Sequence, residues 1–355
     1  MESYLLMPLT YGFIGYLTNV VALWMTFYPA EFRGYPPYLG WQGIVARRSG
    51  ALALKSVNLL SEKVLKLDQF FSRLPVDELQ KKYQEILDHH LSSLFQKEHG
   101  KDQKAIIDKI KGNADQIISN LGADFKTVFN FKALVLRSLS GPNAKVLVEV
   151  FLYIGNKEFK LIKNSGWIFG GLLGLVQALV WSYFPISWLL PVQGILVGYL
   201  TNWIALRLIF RPLNPRYIGP IKIQGLFLKR QTEVSQRYAY MFQKQVLNGR
   251  NILSEVLYKR TFKVVEDVAN SNEIELMENW KDDFELEIHQ GMKELEDMLD
   301  RVMKVEKTLA ESMSTMPTDE FEPLLRSAFQ QDEIILLIFG SILGAMVGAA
   351  QIFLI

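Results

Sequence analysis

Gly198-Tyr199-Leu200-Thr201-Asn202 and Gly15-Tyr16-Leu17-Thr18-Asn19 are the same five residues met twice in one chain. The match continues beyond them. Ala205-Leu206 echoes Ala22-Leu23, Phe210 echoes Phe27, and Pro212 echoes Pro29. Both copies lie inside long apolar runs, Leu5 to Tyr28 and Trp188 to Phe210. Crossing a bilayer takes about 20 apolar residues, so each run reads as a span. The expectation is a duplicated membrane protein with repeats 1–184 and 185–355.

Apolar residues make up 49% of the 355 and gather in four blocks, 5–28, 166–184, 188–210 and 333–355. A soluble helix keeps one polar face, whereas these blocks are apolar all round. Between them, 29–165 and 211–332 are charged and carry helical periodicity. The expected fold is an all-α membrane protein: four transmembrane helices in two parallel repeats, carrying a helical cytoplasmic body. Met1-Glu2-Ser3 lacks the basic start of a signal peptide, so 5–28 is expected to be retained. The net charge of +2 speaks neither for nor against nucleic acid, and no nucleic-acid partner is expected. The absence of cysteine excludes a disulfide framework, a Cys-ligated zinc and a thiol nucleophile.

Small residues recur at helical spacing in every span. The second carries Gly166, Gly170 and Gly174, then Gln177, and the last repeats this as Gly340, Gly344, Gly348 and Gln351. The third adds Gly194 and Gly198, and the first Gly12 and Gly15. Such stripes let helix backbones approach closely, within one chain or between copies in a homo-oligomer. Thr18, Asn19, Thr201, Asn202, Gln177 and Gln351 are polar groups within or near hydrocarbon. Unpaired they are costly, so they should face protein or water. They serve either as interhelical hydrogen bonds or as a polar lining for a small solute, ion or lipid head group.

The charged stretches read as amphipathic helices. The longest runs from 274 to 313 without proline, and at 1.5 Å per residue reaches roughly 60 Å. It either wraps the other soluble helices or joins a coiled coil. Tyr35, Pro36, Pro37, Tyr38 and Trp41 form an aromatic turn suited to a membrane interface. Arg47-Arg48, Arg207, Arg211 and Lys229-Arg230 flank the spans, where they set topology and attract anionic lipid. This positive charge places the soluble regions in the cytoplasm and both termini outside. His89, His90 and His99 stand near Asp88 and Glu98, but adjacent histidines point to different helix faces, so no metal site is expected. No nucleophile–base arrangement and no cofactor fingerprint is present, and the chain is expected not to be an enzyme.

The stretch Gly198-Tyr199-Leu200-Thr201-Asn202-Trp203-Ile204-Ala205-Leu206, then Phe210-Arg211-Pro212, Ile218-Gly219-Pro220 and Gln224-Gly225-Leu226-Phe227-Leu228-Lys229-Arg230, resembles the bacterial membrane family called domain of unknown function 445, the YheB-like proteins. Gly40-Trp41-Gln42-Gly43-Ile44-Val45 and the glycine-rich last span with Gln351 also fit. The resemblance implies a bacterial cell (inner) membrane protein, and it implies no activity. Where the second copy has Arg207 and Arg211, the first has Trp24 and Tyr28, so a role for those arginines does not carry to both halves. Two functions follow from these features. One is a membrane-anchored assembly or scaffold protein that self-associates. The other is a small transporter or channel with Asn19 and Asn202 near its axis.

Overall fold

A computed structural model of the protein describes residues 2–35, 39–65, 67–94, 101–123, 128–271, 280–330 and 333–353. The chain is mostly helical and divides into two compact units. Unit 1 takes 1–56, 139–238 and 310–355; unit 2 takes 57–138 and 239–309.

Unit 1 contains the four apolar helices, Glu2–Phe27, Ala144–Tyr183, Leu189–Phe210 and Glu333–Gln351. Among the described residues three helices are long and apolar enough to cross a membrane, rather than the four expected; the first falls outside the set. Thr10, Tyr11, Tyr16, Thr18 and Asn19 dilute its apolar character. The second span does not begin at 166. It is the end of one 40-residue helix that starts at Ala144, after a tight turn in which Gly141 takes a φ of 60°. No proline separates the charged part from the apolar part, and the helix runs through Asn164-Ser165-Gly166 to Tyr183, just ahead of Pro185.

The glycine stripes are consumed inside the unit. The first helix lies along the second so closely that a Cβ at Gly15 would overlap the Gly166 carbonyl, and one at Gly170 the Tyr11 carbonyl. The third lies along the last in the same way, Gly194 against Gly344 and Gly198 against Gly340. Close backbone approach of this kind maximises van der Waals contact where lipid offers no hydrophobic gain. Leu172, Leu175, Leu179, Leu196, Ile342 and Met346 point outward.

Two short hairpins follow the first and third helices, which an all-α expectation did not include. Arg33–Tyr35 pairs antiparallel with Leu39–Trp41, and Arg216–Ile218 with Ile221–Ile223. Residues 36–38 of the aromatic turn lie outside the described residues. Each hairpin is closed at its base by the Gln-Gly pair that follows. Gln42 Nε2 donates to the Ala30 carbonyl at 2.8 Å, and Gln224 Nε2 to the Leu213 carbonyl at 2.9 Å. Gly43 N donates to the Pro29 carbonyl at 2.9 Å, and Gly225 N to that of Pro212 at 3.1 Å. A Cβ at Gly43 would lie 2.6 Å from the Phe27 carbonyl carbon, and one at Gly225 2.6 Å from that of Phe210. Only glycine fits so near another backbone. One-turn helices, Ile44–Arg47 and Leu226–Lys229, then lead into Ser49–Leu59 and Gln231–Gln245.

Unit 2 is a helical body. Helices Val76–Leu94, Lys101–Ala123, Lys259–Ser271 and Trp280–Met303 bury Leu79, Leu87, Ile110, Val265, Met292 and Leu295. Buried Tyr83 and Thr261 share a hydrogen bond of 2.6 Å between their hydroxyls. The recurring Leu-Ser-Glu segments fall in single π-helical turns, Leu60–Val64 and Ser254–Tyr258. The helix expected over 274–313 is two helices in its described part, Trp280–Met303 and Val305–Ser314; residues 274–279 lie outside the described residues. Lys304 breaks it with a φ of 48°, and the Gln243 side chain accepts the freed Glu306 N–H at 2.7 Å. The apolar stripe of the first piece, Ile288, Met292, Leu295 and Leu299, is buried within the chain.

Candidate functional site

The four apolar helices of unit 1 meet around Asn19 and Asn202, both almost fully buried. Asn19 Nδ2 donates to the Ile162 carbonyl at 2.7 Å, and Asn202 Nδ2 to the Leu336 carbonyl at 2.8 Å. Each amide ties its own helix to the one beside it. The approach depends on glycine. A Cβ at Gly166 would lie 2.6 Å from Asn19 Nδ2, and one at Gly340 would press on Asn202 Nδ2. Asparagine and glycine thus form one device, although sequence reading assigns them separate roles. Thr18 and Thr201 turn back on their own helices. Thr18 Oγ1 donates to Gly15 at 3.1 Å and Thr201 Oγ1 to Val197 at 2.8 Å, which neutralises each hydroxyl locally.

The other amide atoms, Asn19 Oδ1 and Asn202 Oδ1, are buried without a hydrogen-bond partner among the described residues. Both asparagines line a small cavity whose walls come in pairs: Asn19 with Asn202, Ala22 with Ala205, Leu23 with Leu206, Thr26 with Ile209, and Ile162 with Leu336. The first three pairs are those that the sequence echo matches, whereas Thr26 and Ile209, and Ile162 and Leu336, differ in residue. The space open to the centre of a water molecule is about 20 Å³, which is room for about one water.

Gln351 and Gln177 lie elsewhere in the helix group. Gln351 Nε2 donates to Thr10 Oγ1 at 2.6 Å and fastens the last helix to the first. Gln177 is buried, and its Nε2 has no partner among the described residues.

The basic residues separate into different environments. Arg47 sits over the Trp41 ring at 5.8 Å, while Lys229 is exposed. Arg48 ends the one-turn helix 44–47 and is engaged within the fold. Arg230, expected beside lipid head groups, is instead held within the protein. It donates through Nη1 to Glu158 at 2.6 Å and through Nε to Glu233 at 3.0 Å. Lys157 and Arg237 also reach Glu233, at 2.8 and 3.2 Å. Glu158 is buried in the charged part of its helix, outside the apolar stretch. Burial pushes its carboxyl above the ordinary value, outweighing a backbone hydrogen bond and the pull of Arg230. Lys157 and Arg230 hold Glu233 down to about 2. The signal for this cluster was present in the sequence: Glu158 is the one acid among Lys157, Lys160 and Lys163. Arg207 and Arg211 line one open cleft at the end of the third helix. Among the described residues no group of three His, Asp or Glu side chains is placed to hold a metal; His99 lies outside them.

A UPF0754 membrane protein of Staphylococcus haemolyticus is 27% identical to this chain over 89 residues, which is 24% of this chain and 24% of the relative. The matched part is therefore about a quarter of the relative's own length. No protein family and no solved structure matches the chain. The relative and the three apolar helices together support a membrane location and point to an uncharacterised bacterial membrane family.

Proposed function

We propose that this chain is a non-enzymatic integral membrane protein whose four apolar helices form a closed anchor for a helical body. The observation that carries this reading is the meeting point of the helices, where glycine backbones touch and about one water fits. A path for a hydrated solute needs more room. The first helix belongs to the anchor. Tyr11, Thr18 and Asn19, among the groups that lower its apolarity, are buried, whereas Tyr16 faces outward with Leu9, Phe13 and Trp24. Its polar side is thus shielded by protein and its outer side suits lipid.

The paired cavity walls favour two halves arranged as parallel repeats about an axis along the membrane normal. The cations after the third helix, together with Lys157, Lys160 and Lys163 before the second span, favour cytoplasmic soluble regions. The same reading places the protein in the inner membrane of a bacterium and keeps the kinship with the domain of unknown function 445. Self-association is part of the proposal, on surfaces other than those first expected. The glycine stripes and the apolar face of helix 280–303 are already buried within one chain.

Cysteine labelling tests the closed anchor, because the native chain has no cysteine to interfere. Asn19→Cys and Asn202→Cys should stay unmodified by a charged, water-soluble maleimide in intact vesicles. Rapid modification at both positions would reveal an aqueous path and favour the transporter reading.

A further inference from the structure

We propose that the cleft at the end of the third apolar helix binds a phosphate group, through the guanidinium groups of Arg207, Arg211 and Arg216. The cleft is open and about 550 Å³ in volume, and no carboxylate is among the residues that line it. Three features make it a built site rather than a chance gathering of charge.

The first is restraint. The Arg207 guanidinium carbon lies over the Trp203 ring, 4.8 Å from its centroid, a contact that restrains the side chain at the cleft. A planar fork held in this way is suited to two parallel hydrogen bonds from a phosphate. The second is surplus charge. Arg211 lies 3.9 Å from Glu322, but Glu322 also accepts a hydrogen bond from Arg326 at 3.0 Å. One carboxylate is shared between two cations. Arg207 and Arg216 have no ion pair among the described residues. The helix ends here, and its dipole sets partial negative charge at the cleft. Three cations, one of them half-neutralised, outweigh it.

The third is the wall. Trp203, Leu208 and Leu213 give the cleft an apolar side next to its cations. A phosphate carried on a lipid would use both surfaces, and a free phosphate only one. The sequence echo supplies a contrast. The positions of Arg207 and Arg211 are Trp24 and Tyr28 in the first half, while Pro29 and Arg33 still match Pro212 and Arg216. Arg207 and Arg211 are thus confined to one half, while the third cation, Arg216, has its counterpart in Arg33.

The experiment is a thermal-shift titration of the full chain in mild detergent. The probes are phosphatidylglycerol, diacylglycerol (the same chains without the phosphate) and inorganic phosphate. The lipid arm rests on the membrane reading, but detergent makes the assay independent of it, so failed binding would leave the closed anchor standing. Phosphatidylglycerol should raise the melting temperature more than diacylglycerol does. A matching shift with inorganic phosphate alone would identify free phosphate as the source. The Arg207→Trp/Arg211→Tyr variant, built from the chain's own first-half residues, should bind at least about tenfold more weakly. Arg207→Lys/Arg211→Lys should also lose most of the shift, because lysine cannot present the fork. Arg216→Gln, on an exposed hairpin, provides a reading if the double variants fail to fold. Equal shifts with both lipids and none with phosphate would overturn the proposal. So would an undiminished shift in the folded variants.

Discussion

Gly170 and Gly171 are neighbours, yet replacing each with alanine should have different consequences. A Cβ at Gly170 would lie 3.0 Å from the Tyr11 carbonyl carbon and 3.2 Å from Gly12 Cα, and would overlap the Tyr11 oxygen. All three are backbone atoms, so nothing can rotate aside and the helices must part. A Cβ at Gly171 meets nothing nearer than the Pro8 oxygen at 3.6 Å, an ordinary contact. Forcing a methyl into a packed site costs about 1–3 kcal/mol. Both variants gain about 0.8–1 kcal/mol of helix propensity, which cancels in the comparison. Gly170→Ala should therefore be less stable than Gly171→Ala by about 1–3 kcal/mol, or roughly 5- to 150-fold in the unfolding equilibrium. Titration of detergent-solubilised protein with dodecyl sulfate, followed by circular dichroism, measures this difference. Equal midpoints, or a lower midpoint for Gly171→Ala, would refute the backbone-to-backbone contact and the closed anchor built on it.

Two further outcomes are expected. Glu158 has a raised carboxyl, so the folded state holds its proton more tightly than the unfolded state does. Stability from this group is present at low pH and is lost as pH rises from the ordinary 4.5 through the raised value. Wild type should accordingly lose stability relative to Glu158→Gln over that window; a gain would mean that Arg230 attracts more strongly than burial repels. Lys304 sits in the left-handed region, where a residue other than glycine costs about 1–2 kcal/mol. After the entropy that glycine surrenders, Lys304→Gly should stabilise unit 2 by roughly 0.5–1 kcal/mol. Slower hydrogen exchange in helix 280–303 would report it, and faster exchange would count against a strained break.

The apolar blocks were legible because membrane-length hydrophobic runs are a strong, local signal. The first helix marks the limit of that signal. Tyr11, Thr18 and Asn19 are admissible there because neighbouring helices cover them, and partners are invisible in a hydropathy profile. Gln42-Gly43 and Gln224-Gly225 could be seen as a recurring motif, but not as the closure of a hairpin. That role depends on carbonyls a dozen residues earlier and on a glycine lying against Phe27 or Phe210. The hairpins were missed because three-residue strands are too short to show alternation. The break at Lys304 was missed because lysine, unlike glycine or proline, gives no warning. Asn19 and Asn202 stand out in the sequence as polar groups inside apolar runs, but their dependence on Gly166 and Gly340 is a fact of three dimensions.

The cavity between the asparagines has matching Asn, Ala and Leu walls on its two sides, and departs from the match at Thr26 and Ile209. Each asparagine ties a different pair of helices, so losing one amide unfastens that pair alone. At the outer rim Trp24 and Tyr28 stand where the other half has Arg207 and Arg211. The helix group is therefore nearly balanced at its middle and lopsided in charge at its edge.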